Sequence, residues 1–309
     1  MSLGQIISDF KPPKPKFTEN NVPDLSGKSI DKVYLITGAT GGVGWELAKL
    51  LFKKNGRVYI LGRSRASAQG KIDAVKKPNS EHVPKGDLVF LYADLSDLST
   101  IKPAVAEFME METTLHSVWY NAGVMNPPRG LPSGSVRTIW VGSDSHSFFS
   151  PKPDGINWSD ISYEKEHASS MVKYGQSKAG CSILALENAA RLAKDKIISV
   201  VRNKVTNVED NAYLNKSVNP GHLKSDLNRH ARTGASKYLS FLLYPPYYGA
   251  ITELAAGFSP KVSFANNGAY LIPWGRIGKL NSSVGQGWAE RGSGTRLWDV
   301  LEKEVETFL

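Results

Sequence analysis

Cysteine is nearly absent from this 309-residue chain: Cys181 stands alone. No internal disulfide can form, so nothing in the sequence asks for an oxidising compartment, and Cys181 reads as a small packed residue with no base placed beside it. Long apolar runs are missing too. No stretch approaches the roughly 18 apolar residues that a membrane helix needs, and Met1 to Phe10 lacks a basic start followed by an apolar core. The expectation is a cytoplasmic chain with neither a span nor a secretory leader. Basic runs are also lacking. The formal charge is +9, yet the Lys and Arg residues are scattered rather than gathered with aromatics, which favours a solvated surface over a nucleic-acid groove. No second histidine lies at metal-ligand spacing from His146 or His222, which read as structural or loop residues, and no metal is expected.

What is present fits one globular unit. Apolar residues make up 41% and charged residues 22%, ordinary values for a folded protein. Residues 1–30 carry Pro12, Pro13, Pro15 and Pro23 among lysines and predict an extended leader, with a single domain over 31–309. Val33 to Ile36, Arg57 to Leu61, Leu88 to Tyr92, Val118 to Tyr120 and Val136 to Val141 read as strands. Ile197 to Val201 and Ala269 to Ile272 extend the series. Trp45 to Lys54, the stretch from about Asp97 to Met111, and Tyr174 to Ala193 read as helices. Alternation at this spacing predicts a Rossmann-like, doubly wound parallel sheet, α/β in class, with helices on both faces. The region from about 222 to 265 would carry a substrate lid. Its aromatic run, Tyr238 to Tyr248, reads as a helix end and loop packed on the core or over a greasy substrate rather than as a surface anchor.

Chemistry first shows in a turn. Thr37-Gly38-Ala39-Thr40-Gly41-Gly42-Val43-Gly44 follows the first strand and opens the first helix of the βαβ unit. Glycines there let backbone amides and a helix N-terminus approach a diphosphate that side chains would hold away, so the turn points to a dinucleotide. The next strand ends in Leu61-Gly62-Arg63-Ser64, with no acid to accept ribose hydroxyls. A guanidinium beside a hydroxyl suits a 2′-phosphate, which favours NADP(H) over NAD, against the bland reading of a surface arginine. Tyr174 and Lys178 lie four apart and share one helix face. An ammonium beside a phenol stabilises the phenolate and brings its pKa toward the range of a working proton donor.

These features arrive together: the glycine turn, Asp94-Leu95 after the third strand, Asn121-Ala122-Gly123 after the fourth, Ser143 after the fifth, and Tyr174-x-x-x-Lys178 on the following helix. From about Lys28 to Pro273 the chain resembles the short-chain dehydrogenases/reductases, and within them the retinol-dehydrogenase-like branch, whose longer serine-to-tyrosine loop the 31-residue spacing matches. The resemblance implies that Ser143 orients a substrate carbonyl, Tyr174 is the general acid or base, and Lys178 holds the nicotinamide ribose. It implies that Asp94 and Leu95 lie near the adenine and that Asn121, Ala122 and Gly123 line the cofactor. Pro220, Gly221 and Ser225 would close over the nicotinamide amide. The function so implied is hydride transfer between NADP(H) and the carbonyl or alcohol of a small lipophilic molecule. A non-catalytic nucleotide sensor or scaffold of the same fold is the alternative, and oligomeric state stays open.

Two departures stand out. Only twelve residues, 124–135, separate Gly123 from Val136, and five are Pro or Gly, so the usual crossover helix is missing and part of one sheet face should lie bare. That helix would also have carried a relay asparagine and much of a dimer interface. Further on, the polar stretch Arg202 to Lys216 interrupts the path from Ile198-Ser199-Val200 to Asn219-Pro220-Gly221. An omitted coding segment and a retained non-coding one would produce this pattern, as would a splice variant or a divergent protein.

Overall fold

The alternation of apolar and helix-forming segments produces a sheet with helices on both faces. In the computed structural model the described residues are 3–26, 32–77, 85–95, 97–121, 137–165, 167–194, 214–224, 243–263, 266 and 268–308. The first βαβ unit runs β1 (Val33–Thr37), α2 (Gly42–Lys53), β2 (Arg57–Gly62), α3 (Arg65–Lys76) and β3 (Asp87–Tyr92), preceded by α1 (Leu3–Phe10). The middle of the chain gives α4 (Ile101–Met111), β4 (Ser117–Tyr120), β5 (Arg137–Val141), the short α5 (Ser145–Phe148) and the long α6 (Ser170–Lys194). Then come β6 (Leu214–Val218), α7 (Pro246–Phe258), β7 (Tyr270–Ile272), β8 (Arg276–Gly278), α8 (Ser282–Arg291) and α9 (Ser293–Val305).

Strand order is β3-β2-β1-β4-β5-β6-β7-β8, parallel throughout except for the antiparallel β7–β8 pair at the edge. The order reverses between β1 and β4, and the crevice outside the carboxyl ends of strands at such a switch point is where open α/β sheets bind ligands. Side chains alternate along each strand. Tyr34 and Ile36 of β1 therefore join a core layer with Leu47 and Leu51 of α2 and Ile251 and Leu254 of α7. Val33 and Leu35 join the opposite layer with Phe108 of α4 and Ala179 and Ile183 of α6.

Several expectations are corrected. The leader is not extended throughout: Leu3–Phe10 is helical, with Arg276 of β8 donating to the Ser8 carbonyl at its end. The strand leading into Asn219-Pro220 is Leu214–Val218, so the end of the polar stretch, Leu214 to Lys216, pairs with β5, while 202–213 lie outside the described residues. Ile197 to Val201, expected as that strand, lies outside the described residues, as does the 122–136 link between the adjacent parallel strands β4 and β5. The bare core expected there is not seen. Val118, Tyr120 and Trp140 are all buried, in a layer that includes Ile156, Val284 of α8 and Leu297 of α9, with Trp158, Trp288 and Trp298 against it. The C-terminal helices stack on α6 and widen that layer. Of the 238–248 aromatic run, Tyr244, Tyr247 and Tyr248 are described, and they pack on the first core layer.

Candidate active site

The glycine turn is built for approach from outside and for close packing inside. Gly38 (φ 67°) and Gly42 (φ 57°) occupy the left-handed region that glycine adopts without penalty. A Cβ on Gly42 would meet nothing within 4 Å, and one on Gly41 only the Lys71 ammonium, at 3.9 Å. The outer surface of the turn is thus clear, which is the shape a diphosphate needs. Gly44 faces the other way, where a Cβ would sit 2.7 Å from Asn121 Nδ2 and 3.0 Å from the Ala39 Cα. That absence of a side chain admits Asn121, which donates to the Thr37 carbonyl at 2.9 Å and ties the ends of β1 and β4 together across the switch point. Thr40 lies against Gly62, its carbonyl accepts from Lys71 Nζ at 2.5 Å, and Val43 packs beneath Gly249 of α7.

Arg63 is exposed at the end of β2, followed by Ser64, whose hydroxyl caps α3 by accepting from Ser67 N. After β3, the Asp94 backbone is clasped by the Thr100 hydroxyl, which accepts from its amide and donates to its carbonyl, while Leu95 packs on Leu61, Ala93 and Ala104. Ala122, Gly123 and Ser225 lie outside the described residues.

Lys178 reaches from α6 to the carboxyl edge of β5, donating to the Val141 carbonyl at 2.9 Å, two residues before Ser143. Its ammonium lies 5.6 Å from the centroid of the half-buried Tyr174 ring. Lys178 and Tyr174 therefore lie where the end of β5 meets the first turns of α6, with Ser143 two residues along the chain from Val141. Gly175, next to the tyrosine, leaves room for Phe149, whose carbonyl carbon a Cβ would approach to 2.7 Å. Phe148, Phe149 and Met171 stay exposed around this corner. Gly221 (φ 93°) turns the chain after β6 against Trp274, and its amide donates to Asn219 Oδ1. Cys181 is half-buried on α6.

Sequence reasoning missed a cluster beside Ser143. The Asp144 carboxylate accepts from the Ser143 hydroxyl at 3.2 Å and pairs with His222 Nε2 at 3.1 Å. Burial opposes its charge, but the His222 pairing holds the carboxyl below its usual range. His146 is fully buried, with its ring nitrogen Nδ1 on the Ser143 carbonyl, and desolvation lowers its pKa. Asp9 of α1 lies 3.6 Å from Arg276 and is 2% exposed, and burial pushes its carboxyl up to about 6. Asp144 and His222 are 78 residues apart, and no spacing rule links such a pair. Among the described residues no group of three or more His, Cys, Asp or Glu could hold a metal ion, and no helix is long and apolar enough to cross a membrane.

Comparison with known proteins bears on this arrangement. The family profile for short chain dehydrogenases matches residues 32–137, from the start of β1 to the start of β5. The short-chain dehydrogenase/reductase bet4 of Neocamarosporium betae is 34% identical over an alignment covering 99% of this chain and 94% of that protein. The chain belongs to the short-chain dehydrogenase/reductase family. This dehydrogenase/reductase is shorter than the aligned span: the alignment runs to 352 positions against 309 residues here, so the relative carries residues that this chain lacks. Among solved structures, an uncharacterised protein from Mycobacterium paratuberculosis superposes with a TM-score of 0.61 at 17% identity, covering 93% of this chain and 96% of that one. A Pseudomonas aeruginosa RhlG/NADP active-site complex gives 0.52 at 16%, covering 78% and 93%. Both likenesses concern the fold, a mostly parallel sheet flanked by helices.

Proposed function

We propose that this family member is an NADP(H)-dependent oxidoreductase that moves hydride between the nicotinamide and the carbonyl or alcohol carbon of a small lipophilic molecule. The observation that carries the reading is the convergence on one sheet edge of the open glycine turn, Lys178 on the Val141 carbonyl, Tyr174 beside it, and Ser143 two residues on. The turn fits a dinucleotide because its outer surface is clear while Gly44 and Asn121 lock its inner side. A nicotinamide dinucleotide held there supplies or takes up the hydride. The chain's residues do the rest. Gly41, Gly42 and the start of α2 would hold the diphosphate, Arg63 the 2′-phosphate and Lys178 the ribose, and the Tyr174 hydroxyl would pass a proton to or from the substrate oxygen. Asp94, Leu95, Asn121, Pro220 and Gly221 would help to hold the nucleotide.

The exposed Phe148, Phe149 and Met171 around Tyr174 support a lipophilic substrate. The 31-residue separation of Ser143 and Tyr174 supports a place in the retinol-dehydrogenase-like branch, and the lone cysteine suits a reducing, cytoplasmic setting. Residues 31–309 then act as one catalytic domain.

Thermal-shift titration with NADPH and NADH tests the cofactor claim. A ligand bound only by the folded form raises the midpoint, and a larger rise with NADPH is expected. No rise with either nucleotide would remove the reading, whereas preference for NADH would remove only the role of Arg63.

A further inference from the structure

Ser143 is not a free hydroxyl in this arrangement. A serine has one hydrogen to give and two lone pairs to offer. Its hydrogen points to Asp144 Oδ1 at 3.2 Å, and one lone pair accepts from the Ser145 amide at 3.2 Å. One lone pair is left for a substrate. Behind Asp144 stands His222, with Nε2 3.1 Å from the other carboxylate oxygen, directly after the Pro220-Gly221 turn. The Phe10 ring of α1 stacks on the His222 ring with centroids 4.1 Å apart and planes 15° from parallel. The same helix is fastened by Arg276, whose guanidinium donates to the Ser8 carbonyl at 2.9 Å and to the Ser8 hydroxyl at 3.2 Å, with Asp9 beside it. A continuous line of contacts thus runs from the N-terminal helix to the serine at the reacting corner.

We propose that Asp144 and His222 are positioning residues that fix the hydrogen-bonding sense of Ser143, with Phe10 holding them from the N-terminal helix. The inference rests on the hydride-transfer reading of the site and adds to it the form of substrate preferred. A serine whose hydrogen is committed to a carboxylate offers an acceptor, which suits the O–H of an alcohol. A ketone offers no hydrogen, and to be met by this serine it must draw the hydroxyl away from Asp144. The resting arrangement therefore binds the alcohol of a redox pair more tightly than the matching ketone. Released from Asp144, the serine can donate, and the advantage of the alcohol falls. His222 acts by keeping the carboxylate charged and in place, and Phe10 by keeping the imidazole there.

The test uses the full chain with three redox pairs: 1-phenylethanol and acetophenone, cyclohexanol and cyclohexanone, decanol and decanal, each with NADP⁺ or NADPH. The readout is the ratio of the carbonyl KM to the alcohol KM. In Asp144→Ala this ratio should fall about tenfold, the size of one charge-assisted hydrogen bond. In Asp144→Asn, whose amide oxygen still accepts from Ser143 but without the charge, it should fall by less than in Asp144→Ala. His222→Ala should fall between the wild type and Asp144→Ala, and Phe10→Ala should follow His222→Ala with a smaller change. A purely structural role would move both KM values together and leave the ratio alone. An unchanged ratio in Asp144→Ala, alongside an active wild type and an inactive Tyr174→Phe, would overturn this inference while the reductase reading stands. A wild type that turns over none of the pairs would defeat the reading, and the inference with it. Amide hydrogen exchange supplies a measurement independent of turnover. Residues 3–10 should exchange faster in His222→Ala and Phe10→Ala but not in Tyr174→Phe, and unchanged exchange would cut the proposed link to the helix.

Discussion

The half proposed to hold the nucleotide and the half proposed to hold the substrate treat buried polar groups differently. Around β1, α2 and β2 the polar contacts are closed: Asn121 on the Thr37 carbonyl, Lys71 on Thr40, and the Gly38 amide on the Leu61 carbonyl, all over a dense apolar layer. Around β5 to β8 and α7, carboxylates lie buried with little to satisfy them. Both oxygens of Asp9 and of Glu253 lack a hydrogen-bond partner among the described residues, and Glu253 is fully buried. Buried carboxyls without hydrogen bonds oppose folding, although Asp9 has the Arg276 guanidinium 3.6 Å away. The first half keeps a fixed shape that suits the proposed nucleotide. The second buries carboxyls at the expense of stability, and burial keeps Glu253 protonated well above the usual carboxylate range.

The largest expected effect belongs to the substrate half. Tyr174→Phe removes the proposed proton donor without changing the helix, so kcat should fall by about 10² to 10⁴ with the NADPH thermal shift retained. Steady-state kinetics beside a binding titration checks it, and a wild-type rate would take the tyrosine out of the mechanism. Glu253 tests the stability side of the contrast. Burial pushes its carboxyl from 4.5 up to about 8, with Lys178 opposing more weakly. The folded protein therefore keeps this proton where the unfolded chain has lost it. Stability from this group is intact below about 4.5, declines as pH rises toward 8, and is flat above. At about 1.4 kcal/mol for each tenfold difference in proton affinity, the loss amounts to a few kcal/mol. Glu253→Gln should accordingly gain on the wild type from pH 5 to pH 8 in urea unfolding. A difference independent of pH would show that the carboxyl is solvated.

The same contrast governs what could be read from the residues. β1, the glycine turn, Asn121 and the Tyr174–Lys178 pair were legible because each depends on local spacing: period two for a strand, left-handed φ for glycine, four residues for one helix face. α1 carries an equally local signal, Leu3, Ile6, Ile7 and Phe10 at helical spacing, but the prolines that follow suggested an extended leader. β6 had no such signal. Asn215 and Lys216 are poor strand formers, and Leu214–Val218 is a strand because β5 and β7 pair with it on either side. The covering of Trp140 and Tyr120 by a layer reaching α8 and α9 depends on helices more than a hundred residues away, which the short sequence between Gly123 and Val136 alone could not foretell. The Asp144–His222 pair joins two loops that only the folded sheet brings together.

Two changes in the nucleotide half sharpen the comparison with smaller effects. Gly44→Ala would drive a Cβ to 2.7 Å from Asn121 Nδ2 and 3.0 Å from the Ala39 backbone, where neither neighbour can yield cheaply. Overpacking of this kind costs about 1–3 kcal/mol, so the denaturation midpoint should drop and NADPH binding should weaken with it, because the turn must shift. Retained stability and affinity would mean that the turn is looser than its contacts suggest.

Arg63→Ala is the mildest test and the most selective. The side chain is exposed, so the lost attraction is screened and the fold should be unaffected. What changes is the difference between two ligands that differ only in a 2′-phosphate. The Kd for NADPH should rise about tenfold at low salt, the Kd for NADH should hold, and the ratio should narrow as salt is added, because only a charge contact is being removed. Equal weakening of both nucleotides would instead make Arg63 a support of the turn itself. The charge that selects the phosphate would then have to come from Lys71, whose ammonium already lies over Gly41 and holds the Thr40 carbonyl.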